Sequence, residues 1–156
     1  MPGVPMFIEV QATREHKDTR VCCKIVDLLL ERKVAPIGLA GSLEEARGIL
    51  EQMREHGLSP AIFVINTFGA KTILPGLDPL MGALPVIYLR RGMYAGKSGL
   101  LDRSTAGMTP RPMTMWFYGV KNSDEVASRV AAAVLRFLET GDFYHIEAAN
   151  ARRRDT

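Results

Sequence analysis

Apolar and polar residues alternate along the chain in blocks, and the spacing within the blocks changes from one to the next. Residues 6–10, MFIEV, are a short apolar run that reads as a strand, followed by the polar stretch QATREHKDT. Residues 20–33 switch to a helical period: Val21, Ile25, Leu28 and Leu29 fall on one stripe, widened by Cys22 and Val26. VAPIGLA (34–40) reads as a second strand, and Pro36, which has no backbone donor, suits a sheet edge. Ser42 and Glu45 have the spacing of a capping box, in which each side chain takes a backbone N–H of the first turn. The helix they open runs to about His56, buries Leu43, Ala46, Ile49, Leu50 and Met53, and stops at Gly57. AIFVI (61–65) is apolar on both faces, as central strands of a parallel sheet are.

The second half continues the alternation less regularly. In residues 66–83, Pro75, Gly76 and Pro79 leave room for about one or two helical turns. LPVIYL (84–89) and MTMWFYGV (113–120) read as the fourth and fifth strands. Asn122 or Ser123 caps a last helix, with Asp124 and Glu125 at its positive end. Val126, Val130, Ala133, Val134, Phe137 and Leu138 form its packing face, and Gly141 ends it. Strands alternating with helices predict an α/β three-layer sandwich around a five-stranded parallel sheet, in the flavodoxin-like order 2-1-3-4-5. The functional crevice of such a sheet lies at the carboxyl ends of its strands. There the exits of strand one (9–13), strand three (Asn66, Thr67) and strand four (Arg90, Arg91) are expected to meet.

Composition narrows the classes. A chain of 156 residues can bury one real core; residues 1–141 read as one domain and 142–156 as an extension ending in a basic tail. No apolar run reaches the ~18 residues of a membrane span, and MPGVPMFIEV lacks the basic and long apolar parts of a secretory signal. A cytoplasmic protein without a membrane role is expected. The net charge of +3 is concentrated in ARRRDT, and the nearly neutral remainder argues against a nucleic-acid surface. Cys22 and Cys23 are adjacent, so they neither pair easily nor form a ligand set, and reduced thiols are expected. No metal or other cofactor is expected.

The loop after strand four invites a test. Gly96-Lys97-Ser98 has the letters of a phosphate-binding loop, but the position where the first glycine is needed holds Arg91. The segment after it, GLLDRSTAGMTPRP, is too broken to supply the helix N-terminus that holds the anion. The reading is therefore a long basic loop over 91–112. The alternative keeps a small nucleotide- or phosphate-ligand site on the 90–99 loop, with Arg90, Arg91, Lys97 and Ser98 around a phosphate. A flavin would need a glycine-rich first loop, and QATREHKDT has no glycine. His16, His56 and His145 accompany no nucleophile motif and read as surface histidines.

The strand AIFVIN with ILPGLDPL after it, the strand LPVIYL, and MWFYGVKNSDEVASRVAAAVLRFL together resemble bacterial response-regulator receiver domains. The resemblance covers most of residues 6–138, by pattern more than by identity. It implies a phosphorylation site at the carboxyl ends of the strands, and the departures fall on that site. Asn66 stands where the family's acceptor aspartate ends strand three, and an amide cannot form the acyl phosphate. Gln11 and Ala12 stand where paired acids hold Mg²⁺, and Glu9 is nearby but on the strand itself. Arg90 replaces the switch Ser/Thr, while Lys121 keeps the family's lysine. Arg90 or Arg91 is placed to fill the vacated cation site by facing Glu9 or Asn66. A second, weaker resemblance is to the N-terminal wing domain of bacterial ornithine, lysine and arginine decarboxylases, which is receiver-like and works in assembly. Together they imply a pseudo-receiver: a non-enzymatic, phosphorylation-independent signalling or interaction module. Its partner is expected to be a protein or a second copy of the chain, as in a homodimer. In the receiver family the last strand and helix often supply the contact face. That face maps to residues 113–118 and 123–138, with Trp116, Phe117 and Tyr118 as candidate anchors.

Overall fold

A computed structural model describes residues 3–10, 20–67, 70, 72–90, 108–109, 114–118 and 123–142, with the backbone alone for 90, 114–118 and 123. Strand β1 (Gly3–Glu9) is buried from Val4 onward, because it lies between β2 (Gly38–Ala40) and β3 (Ser59–Asn66). Strand β4 (Val86–Arg90) pairs with the other side of β3. All these pairings are parallel, in the order β2-β1-β3-β4 that the alternation predicts. The short β2 is the edge, as Pro36 suggests. The backbone of β5 (Thr114–Tyr118) runs parallel to β4, from Val86 opposite Thr114 to Arg90 opposite Tyr118.

The period of two in the strands sorts their side chains into two layers. Met6, Ile8, Phe63, Ile65, Val86 and Tyr88 pack with Ala46 and Met53 of α2 (Leu43–Glu55) and Leu74, Leu77 and Met81 of α3 (Leu74–Met81). Phe7, Ile62, Val64, Ile87 and Leu89 pack with Val21, Ile25 and Leu29 of α1 (Val21–Glu31) and Val126, Val130 and Val134 of α4 (Ser123–Thr140). Each fully buried side chain of this size contributes about 1.5–3 kcal/mol. The exposed ion pair of Lys24 with Asp124, at 2.9 Å between α1 and α4, adds at most ~1 kcal/mol. The two apolar layers therefore hold the fold. Among the described residues no helix is long and apolar enough to cross a membrane.

Boundaries depart from the sequence expectation where prolines intervene. The pattern starts β1 at Met6, but the strand begins at Gly3, because a register shift between Val4 and Pro5 accommodates the proline. A side chain at Gly3 has no room, since a Cβ there would collide with the Cβ of Ala61. Strand β2 occupies only the last part of 34–40, and β4 starts and ends slightly later than 84–89. Helix α3 forms over 8 residues despite its prolines. Pro75 sits in the first turn, where a missing N–H costs no intrahelical bond. Gly76 lets the Leu43 side chain of α2 close onto α3. The capping box of α2 forms with a change of partner. Glu45 N–H donates to Ser42 Oγ at 3.1 Å, while Glu45 Oε1 accepts from Gly41 N–H at 2.8 Å rather than from the cap residue.

Part of the expected 91–112 loop is fixed to this frame. Met108 packs against the α2–α3 layer. The Thr109 N–H donates to Asp78 Oδ1 at 3.1 Å and Oδ2 at 3.2 Å, and its hydroxyl donates to Oδ2 at 2.7 Å. The rest of that loop, and residues 143–156 of the expected extension, lie outside the described residues.

Candidate functional site

Alternation along β1 puts Glu9 on the same face as Phe7, and along β3 it puts Asn66 on the face of Val64. Both therefore look toward the α1 layer at the carboxyl ends of the central strands. The register makes them direct neighbours, Glu9 opposite Asn66, with Leu89 of β4 opposite Asn66 on the other side. Both are buried, at 5% and 4% exposure, and among the described residues they are the buried polar ones in an otherwise apolar core.

A buried carboxylate is costly unless it is hydrogen-bonded and charge-compensated. Glu9 Oε2 accepts from Cys22 N–H at 2.7 Å and from Asn66 Nδ2 at 3.2 Å, and its Oε1 accepts from Cys23 N–H at 3.3 Å. Cys22 and Cys23 lie in the first turn of α1, whose N–H groups have no intrahelical partner. The carboxylate thus sits against the positive end of the helix dipole. Bonds of this charge-assisted kind are worth about 1.5–3 kcal/mol each. The signal available in the sequence is indirect. The residue that precedes α1 is Arg20, which supplies no side-chain cap, so an acceptor must come from elsewhere in the chain. That acceptor is Glu9, on the neighbouring strand. The pattern of apolar and polar positions does not reveal this link between Glu9 and α1.

Burial and the neighbouring carboxylate together act on the two thiols beside it. Cys22 is fully buried, and its thiol donates to Ile8 O at 3.7 Å. Burial first, and then the negative charge of Glu9, push its pKa well above the ordinary value. Cys23 is half-buried and is pushed up to about 11, again by burial first and then by its hydrogen bond and charge interaction with Glu9. Both thiols are therefore protonated at neutral pH, and neither is an activated nucleophile. Beside them, a cleft of about 410 Å³ opens at the carboxyl ends of β1 and β2, lined by Glu9, Val10, Cys23, Leu39, Gly41 and Glu45 among others.

The residue just after β3 fastens the neighbouring strand. Thr67 donates to Leu89 O twice, from its N–H at 2.9 Å and from its hydroxyl at 2.8 Å. Of the residues that the sequence singles out for this crevice, the structure brings Glu9 and Asn66 together. Arg90 is the last residue of β4, one position beyond the Leu89 that faces Asn66, and its side chain lies outside the described residues. Gln11, Arg91, Lys97, Ser98 and Lys121 also lie outside them. Trp116, Phe117 and Tyr118 are described in backbone only, opposite Tyr88, Leu89 and Arg90. His56 Nδ1 donates to Gln52 O at 2.8 Å, a bond made within its own helix end. Among the described residues no group of three His, Cys, Asp or Glu side chains is placed to hold a metal ion.

No protein-family model matches the chain, and no curated protein matches it in sequence.

Proposed function

We propose that the chain is a flavodoxin-like, receiver-like module that no longer performs phosphoryl transfer and acts by contacting a protein, either a partner or a second copy of itself. The observation that carries this reading is the Glu9–Asn66 pair. A receiver needs a free carboxylate at the end of β3 as acceptor and nearby acids for a divalent cation. Here the residue at the end of β3 is an amide, which is too weak a nucleophile to take a phosphoryl group. Its neighbour Glu9 is a carboxylate, but one already engaged by two N–H groups of α1 and by Asn66 itself. Among the described residues, the two buried polar side chains of the crevice, Glu9 and Asn66, bond to the scaffold itself. The resemblance to decarboxylase wing domains, which serve assembly, points to the same use of the fold. The reading places the contact face on β5 and α4, with Trp116, Phe117 and Tyr118 as its anchors.

Capture of binding partners by the tagged chain, in parallel with sedimentation of the purified chain, tests this. Both are done with and without Mg²⁺ and acetyl phosphate, and with a Trp116→Ala/Tyr118→Ala double variant. The reading expects one retained protein, or a dimer, that is unchanged by the phosphodonor and lost in the variant. A complex that forms only with the phosphodonor, or one that the double variant retains in full, overturns it.

A further inference from the structure

We draw no further inference here: the strongest candidate, the cleft of about 410 Å³ at the carboxyl ends of β1 and β2, carries nothing beyond the site already described, because its two carboxylates, Glu9 and Glu45, already accept backbone N–H groups of α1 and of Gly41.

Discussion

Asn66 and Glu9 are register partners on adjacent parallel strands, and the Asn66 amide donates to the Glu9 carboxylate at 3.2 Å with both side chains buried. The pair works because one member is neutral and carries a donor. Asn66→Asp removes the donor and sets a second carboxylate beside the first. A like charge at this distance raises the proton affinity of the introduced carboxyl. A carboxyl whose folded pKa lies above its unfolded value of ~3.9 favours folding while it stays protonated. Its cost appears as pH rises from about 4 and is complete above the raised folded pKa. The variant is expected to lose roughly 3 kcal/mol at pH 7.5 relative to the parent, and clearly less at pH 4.5. Urea unfolding of both chains at the two pH values measures this; an equal gap at both contradicts it.

Glu9 joins the end of β1 to the start of α1, so its removal should loosen that helix end in particular. Glu9→Ala removes the acceptor that the Cys22 and Cys23 N–H groups and the Asn66 amide share, at a cost of about 3 kcal/mol. Glu9→Gln keeps the shape and one acceptor oxygen but loses the charge at the helix N-terminus, at a cost of about 1–2 kcal/mol. Amide hydrogen exchange is expected to speed up at Cys22 and Cys23 in both variants. Unchanged protection at these two amides would show that Glu9 is not their anchor.

The thiols offer a pH test. The Cys23 pKa moves from 9.0 to about 11, which lowers its thiolate fraction at pH 8 by about a hundredfold, at tenfold per unit. Iodoacetamide should therefore alkylate the folded chain about 100 times more slowly than the urea-unfolded chain, with Cys22 protected further by burial. Both thiols hold their proton more tightly when folded. Their contribution to stability is present below the unfolded pKa, near 9, and falls away as pH rises through the folded values. Stability that stays level from pH 9 to 11 would argue against the raised values.

Two glycines of the same chain should respond in opposite directions to alanine. Gly3→Ala forces a Cβ into Ala61, with the Ala61 backbone 3.1 Å away, so β1 and β3 must part. The expected loss is about 1–3 kcal/mol. Gly48 lies in the middle of α2, and an added methyl group there would meet nothing within 4 Å. Gly48→Ala is expected to gain about 0.5–1 kcal/mol from helix propensity alone. Thermal or urea unfolding separates the two, and a stabilised Gly3→Ala chain would contradict the close approach of the strands.

The alternation of apolar residues makes most of this architecture legible in the sequence. Continuous apolar runs at Phe7–Ile8 and Ile62–Ile65 mark strands covered on both faces, and the helical stripes of α1, α2 and α4 mark the faces that pack, although Leu43, Ile49 and Leu50 are only partly buried and the buried Ala127 and Ala131 fall outside the stripe. At the prolines the pattern gives the short α3, about two turns long, but not where β1 begins. Strand one reads from Met6, yet it begins at Gly3 with a register shift at Val4/Pro5, and Pro75 occupies a first-turn position that needs no donor. The site is half legible. The period of two places Glu9 and Asn66 on one face, and the strand order brings them side by side. The bond from Glu9 to α1 joins residues 13 positions apart through a helix start with no cap of its own, and no local pattern announces it. The placement of Asp78 against Thr109, 31 positions along the chain, is equally hidden.

A receiver-like scaffold without phosphoryl transfer is tested most directly by the intact mass of the purified chain after incubation with Mg²⁺ and acetyl phosphate. No change in mass is expected, because Asn66 offers no acceptor and Glu9 is held by α1. A chain that gains one phosphoryl group, labile to hydroxylamine as an acyl phosphate is, would contradict it.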